Sequence, residues 1–193
     1  MRRGDAYLAP DCPACKGRAV PAEGSERPQA FFVGEAPGPT EEKMGRPFVG
    51  RAGRVLRSAL PEAGWAEDDI WITNIVKCFP YADVDGKRKI RKPNPAEVQA
   101  CLPHLLREAE DLRPRLLIAL GRTAAEGLLG RRVPKLGSIR GQVLPARSEL
   151  GARPVFVTIH PSALSYGVLR GQRAGFVDDL RKARESLSTD ARP

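Results

Sequence analysis

A three-layer α/β/α domain around a central, mainly parallel, four-stranded sheet is the fold that the 193-residue sequence predicts. Three observations carry that expectation. Short apolar runs rich in β-branched and aromatic residues alternate with longer amphipathic stretches, the order of βαβ units. Each run is bounded by Gly, Pro or charged residues. The length is that of one domain with a core large enough to need no disulfides.

The elements follow in chain order. The first strand covers residues 30–33 and the first helix 51–63. The second strand, 70–75, leads into a connection, 79–93, whose run Lys87-Arg88-Lys89-Ile90-Arg91-Lys92 is either a solvated loop or a phosphate contact. A helix over 95–112 has a readable start: Asn94 caps, Pro95 suits the first turn, and Glu97 stands where a capping-box partner reaches back. Strand 116–120, helix 123–129, strand 155–159 and helix 172–187 complete the domain, which spans 1–187 and leaves 188–193 as a disordered tail. No internal repeat interrupts this order.

No segment approaches the roughly 20 apolar residues that cross a bilayer, and the amino-terminal ten lack an apolar stretch, so a soluble intracellular protein without membrane contact is expected. The net charge of +9 favours a polyanionic partner, nucleic acid before membrane. Part of that balance is equally a product of arginine-rich codon usage in a GC-rich genome. Four cysteines say more: Cys12 and Cys15 as a Cys-Pro-Ala-Cys pair, then Cys78 and Cys101. In a reducing compartment such thiols serve a metal better than a disulfide. Structural zinc and a [4Fe–4S] cluster both fit four thiolates. The wide gap between the last two, where zinc ribbons repeat the CxxC pair, favours iron–sulfur; four unrelated cysteines are the remaining alternative.

Function is suggested by where unusual residues fall. Each follows the carboxyl end of an expected strand, the edge where open α/β sheets place ligands. Gly34-Glu35-Ala36-Pro37-Gly38 follows the first strand, Asn74 stands at the end of the second, Gly121-Arg122 follows the third, and His160-Pro161-Ser162 the fourth. Singly each has an ordinary explanation as a turn or a cap. Of the two histidines, His104 lies within an expected helix and reads as structural, so His160 is the catalytic candidate.

Together with Gly45-Arg46-Pro47-Phe48-Val49-Gly50 and Thr73-Asn74-Ile75-Val76-Lys77-Cys78, these motifs resemble the iron–sulfur uracil-DNA glycosylases, the family usually numbered four, from Cys12 to about Phe176. The resemblance implies a uracil-DNA glycosylase-like fold and a monofunctional hydrolase that begins base excision repair by flipping uracil from DNA and leaving an abasic site. It implies a structural [4Fe–4S] cluster on Cys12, Cys15, Cys78 and Cys101. Phe48 would stack on the uracil, and the Asn74 amide would accept from N3–H and donate to O4, a pattern cytosine inverts. His160 would donate to O2 as charge develops on the ring. Ser162 would hold a flanking phosphate with Pro37, Gly38 and Arg140, while Ala163 and Leu164 would enter the gap in the stack, ordinary loop packing being the other account of Leu164.

Water activation is less legible. The best-known related family carries an Asp at the position of Ala36, so the neighbouring Glu35 is the candidate to position water or contact the base. Glu41 or Glu42 would crowd the uracil C5 position against thymine, unless both are exposed first-turn acids. Glu35 argues against the similar family five, and the absence of histidine from 135–141 argues for turnover rather than covalent trapping. The implied partner is uracil-containing DNA, single- or double-stranded, met by a monomer in a prokaryotic cytoplasm at the nucleoid. A cluster-stabilised nucleic-acid-binding module without catalysis is the alternative from another class. A nucleotide-binding enzyme fares worse, since 34–38 lacks the Lys-Ser/Thr of a P-loop.

Overall fold

A computed structural model describes residues 2–8, 17–165 and 170–189. In chain order the elements are β1 (Arg2–Arg3), β2 (Glu23–Gly24), β3 (Ala30–Gly34), α1 (Pro39–Met44), α2 (Arg51–Glu62), β4 (Ile70–Asn74), β5 (Tyr81–Val84), β6 (Lys87–Ile90), α3 (Pro95–Leu112), β7 (Leu116–Leu120), α4 (Arg122–Leu129), β8 (Val143–Pro145), β9 (Pro154–Thr158), α5 (Ser162–Ser165) and α6 (Arg173–Thr189), with short 3-10 turns between.

The four apolar strands β4, β3, β7 and β9 lie side by side and parallel, as the sequence predicts. Their residues are almost all buried, because helices cover both faces and each face of the strand must be apolar. Phe31, Val33, Trp71, Leu117 and Val155 face one core with α3 and α4, whereas Phe32, Ile72, Ile118 and Phe156 face the other with α2 and α6. The sheet has seven strands rather than four: β2 and β1 extend one edge and β8 the other, all antiparallel. These additions are two or three residues long and pair through backbone, so no apolar run marks them.

Two other expectations need correction. The connection after β4 is no loop: β5 and β6 form a separate antiparallel hairpin carrying most of the basic run. Its turn is Asp85-Gly86, both at positive φ (52° and 71°), the Asp-Gly signal of a two-residue hairpin. The last helix runs through Thr189, so Ser188 and Thr189 are helical, and 190–193 lie outside the described residues. The start of α3 follows expectation: Asn94 Oδ1 accepts from Glu97 N–H at 2.9 Å and Glu97 Oε2 accepts from Asn94 N–H at 2.8 Å. Among the described residues no helix is long and apolar enough to cross a membrane.

The order β4-β3-β7-β9 turns outward in both directions between β3 and β7. Connections leaving these two strands diverge to opposite faces and open a crevice at the carboxyl edge.

Candidate active site

A cavity of about 400 Å³ occupies that edge. Its wall includes Glu35, Ala36, Pro37 and Gly38 from the loop after β3, Glu41 of α1, Phe48, Asn74, and His160 and Ser162 after β9. The segments after β3 and β9, the stretch from α1 to α2 and the end of β4 thus meet at one place, whereas Gly121-Arg122 after β7 does not line it. Register explains part of this: Gly34 pairs with Asn74 at the strand ends, and Ile75 N–H and Val76 N–H continue the ladder to the carbonyls of Gly34 and Glu35 at 2.9 and 3.0 Å. Glu35 and Asn74 are therefore mounted on one rigid piece of backbone.

Asn74 is 4% exposed, and among the described residues its Oδ1 is a buried acceptor with no hydrogen-bond partner. An orphan of this kind costs about 1–3 kcal/mol, which a protein tolerates where a ligand donor will fill it. Phe48 lies beside it, its ring 6.0 Å from that of His160 and tilted by 35°.

Phe48 has φ 51°, a left-handed conformation that non-glycine residues rarely adopt. The fold holds it there from both sides. Arg57 of α2 donates to the Phe48 and Pro47 carbonyls, each at 2.9 Å. Glu41 Oε1 accepts from Val49 N–H and Gly50 N–H at 3.1 and 2.7 Å, and its Oε2 accepts from Gly38 N–H at 3.2 Å. Glu41 lines the cavity, but both oxygens are committed to backbone, so it braces two loops rather than presenting a free carboxylate to uracil C5. Glu42 turns away to Arg88 at 2.9 Å.

His160 Nδ1 lies 2.7 Å from Ser162 Oγ and accepts from Ser162 N–H at 3.2 Å. A backbone N–H only donates, so Nδ1 carries no proton and the neutral ring bears its hydrogen on Nε2. Burial in the cavity wall lowers the His160 pKa to about 4. Gly121 packs beneath it at φ 91°, where a side-chain carbon would lie 2.8 Å from His160 Cβ. Across the crevice Thr123 of α4 donates its hydroxyl to Glu35 Oε2, joining the loops after β3 and β7. Gly121 is expected at the rim from its place after a strand; Thr123 and Arg57 carry no local sequence signal of their roles, which become visible only when the strand order is known.

Two further sequence expectations change. Leu164 is 6% exposed and packs in the core beside α2 and α6, so it belongs to loop packing and not to the DNA surface. Ala163 is half-buried in the same turn. Arg140 is held within the protein: its Nε donates to Asp179 at 2.7 Å and its Nη1 to Gln172 at 3.2 Å, and Asp179 also accepts from Thr158 at 2.6 Å. That guanidinium pins the segment before β8 to α6, and Thr158 ties the same carboxylate to β9. His104 is buried, with Nδ1 2.7 Å from the Tyr7 carbonyl, in keeping with a structural part.

Of the four cysteines, Cys12 and Cys15 lie outside the described residues. Cys78 and Cys101 are buried at 3% and 0% exposure. Lys77 N–H donates to Cys101 Sγ at 3.5 Å, which draws the end of β4 onto α3. Ala19 bridges Cys78, and Val20 N–H donates to Lys77 O at 2.7 Å, so the chain just beyond Cys15 runs alongside. Soft sulfur ligands, low exposure and an amide aimed at sulfur fit an iron–sulfur cluster or zinc. Among the described residues alone, no three His, Cys, Asp or Glu side chains gather as a metal site.

A second, wider cavity of about 590 Å³ adjoins the first. Lys92 lines both, and Arg122, Arg131, Arg132 and Arg147 line the second.

Against known proteins, the family model described as the Uracil DNA glycosylase superfamily matches residues 21–183. A type-4 uracil-DNA glycosylase of Pyrobaculum aerophilum is 42% identical over 167 residues, covering 83% of this chain and 82% of that protein. The type-4 enzyme of Thermotoga maritima is 34% identical over 184 residues, 93% of this chain and 91% of its own. A type-5 uracil-DNA glycosylase of P. aerophilum is 30% identical over 183 residues, covering 86% of this chain and 76% of that protein.

Proposed function

The chain belongs to the uracil-DNA glycosylase superfamily and excises uracil in DNA repair, and we propose that it does so in the cavity at the carboxyl edge of the sheet, with Asn74, Phe48, His160 and Glu35 as its working residues. The observation that carries this reading is the orphan acceptor of Asn74 buried beside Phe48 and His160. Uracil N3–H supplies the missing donor, while the amide nitrogen meets O4. Cytosine presents an acceptor at N3 and leaves Asn74 Oδ1 unpaired in a dry site.

As the N-glycosidic bond breaks, electrons flow onto the uracil ring and the sugar becomes cationic. His160, fixed by Ser162 with its proton on Nε2, donates to O2, where the negative charge grows. Because its pKa lies near 4, it does so as a neutral donor at physiological pH and keeps its proton. Two carboxylates line the cavity, and the oxygens of Glu41 are occupied by backbone. Glu35 therefore orients the attacking water, using the oxygen not bonded to Thr123, and its charge favours the cationic sugar. Pro37, Gly38 and Ser162, at the mouth, contact the flanking backbone.

Cys12, Cys15, Cys78 and Cys101 would hold a [4Fe–4S] cluster, which when bound supplies a covalent tie between the amino-terminal segment, β4 and α3 and no chemistry at the base. A brown protein as purified supports it, and a colourless one carrying stoichiometric zinc overturns the cluster without touching the glycosylase. The enzyme acts as a monomer.

The test is an oligonucleotide with one uracil, a thymine control and a His160→Ala variant, followed by alkaline cleavage of abasic sites. Cleavage confined to uracil and weakened in the variant supports the assignment. An unimpaired variant removes His160 from it.

A further inference from the structure

A hairpin that no contact in the cavity requires overhangs the cavity mouth. Its register pairs Tyr81 with Ile90 and Asp83 with Arg88, which puts these four side chains on one face. That face turns toward the body of the protein: Arg88 stacks over Tyr81 at 3.7 Å and pairs with Glu42 of α1 at 2.9 Å. The base is clamped as well, since Arg91 donates to Glu97 of α3 at 2.7 and 2.5 Å and to the Tyr81 carbonyl at 3.1 Å. On this anchored face Ile90 is nevertheless 68% exposed, and it lines the uracil cavity beside Lys92.

Ile90 is thus an apolar side chain held at the mouth of the cavity, where an incoming strand would meet it. Drawing a nucleotide out of the stack opens an apolar gap next to the cavity, which a side chain from the protein must fill if the base is not to fall back. Leu164, from the loop beside His160, is buried and does not reach it. We propose that Ile90 enters the base stack in place of the extracted uracil, with Lys87 and Lys89 on the opposite face of the strand and Lys92 at the mouth neutralising nearby phosphates. This rests on the reading of the cavity as the uracil site.

The test compares single-turnover excision by wild type, Ile90→Ala and Ile90→Leu on one sequence, presented as single strand and as a U·A duplex, with 2-aminopurine beside the uracil to report unstacking. Only the duplex requires displacement from a paired stack. The duplex-to-single-strand rate ratio should fall roughly tenfold or more in Ile90→Ala, together with the 2-aminopurine signal on binding, and recover in Ile90→Leu. An unchanged ratio, or an unchanged 2-aminopurine signal, overturns the proposal. A wild type that releases uracil from neither substrate overturns the reading of the cavity, and the wedge with it.

Discussion

In the proposed site two side chains act by opposite means, one by specificity and one by charge. Asn74 is held with its acceptor unpaired, and on this reading uracil completes it and cytosine does not. Asn74→Ala removes both bonds to the base, and we expect the specificity constant for uracil to fall about 10- to 100-fold, the worth of a buried polar pairing of about 1–3 kcal/mol. Single-turnover rates on uracil substrates measure it. For His160 the transition state matters more than the bound base, and His160→Ala should cost about 10²–10³-fold in the chemical step. Its lowered pKa has a sign that can be checked. From pH 7 the rate should stay level through 6.5, the ordinary histidine value, and decline only toward about 4, where the ring gains a proton. Folding stability behaves differently. Below 6.5 the unfolded chain takes up the proton that the folded ring refuses, so this residue's contribution is full above 6.5 and is lost progressively down to about 4. A pH–rate profile that breaks at 6.5 would show that the ring is not desolvated.

The cavity depends on elements that are unequally legible in the sequence. β7 and α3 are readable to the residue and the other three long strands to within one, because buried parallel strands are continuous apolar runs and α3 carries a full capping box. α1 and α5 escape, being six and four residues long with no buried or apolar stripe to mark a helix. The hairpin escapes for a different reason: β6 is basic and exposed, β5 is four residues of mixed character, and Asp85-Gly86 is its one signal. α1 shapes the site through Glu41, whose backbone bonds, with those of Arg57 from α2, keep Phe48 in its left-handed conformation. Arg57 also pairs with Glu23, whose carboxyl burial would raise but which Arg46 and Arg57 hold below its usual value. Arg57→Ala should therefore act on position. We expect a loss of stability of about 1–3 kcal/mol in urea denaturation, and weaker uracil binding with KM rising more than kcat falls. A matching fall in kcat alone would place Arg57 in the chemistry and not in the bracing.

At the scale of the molecule, the parallel sheet and its site-bearing edge are legible in the sequence, and the strand order and the direction of the DNA are not. Four strand ends bearing Gly34–Gly38, Asn74, Gly121 and His160 predict one rim, and β3 and β7 do flank the crevice. The long-range pairings that close the site, Glu35 with Thr123 and Glu41 with Val49 and Gly50, join loops through tertiary placement, which no local pattern encodes. Charge follows the same division. The net charge of +9 points to a polyanion, but Arg140, a DNA contact by resemblance, is held by Asp179. Among the described residues, exposed cations that line the cavities include Lys92 at their shared wall and Arg122, Arg131 and Arg132 along the second. We expect a strand whose uracil enters the first cavity to run on over the second, its phosphates releasing counterions there. The logarithm of the association constant should fall linearly with the logarithm of salt concentration, and an Arg131→Ala/Arg132→Ala variant should shallow that slope by about 0.7–0.9 for each phosphate that the variant no longer neutralises. Titrations in a slowed His160→Ala background across a salt series measure it. The effect should vanish on oligonucleotides trimmed too short to reach the second cavity. An equal slope with and without the two arginines would confine the phosphate contacts to the first cavity and its hairpin.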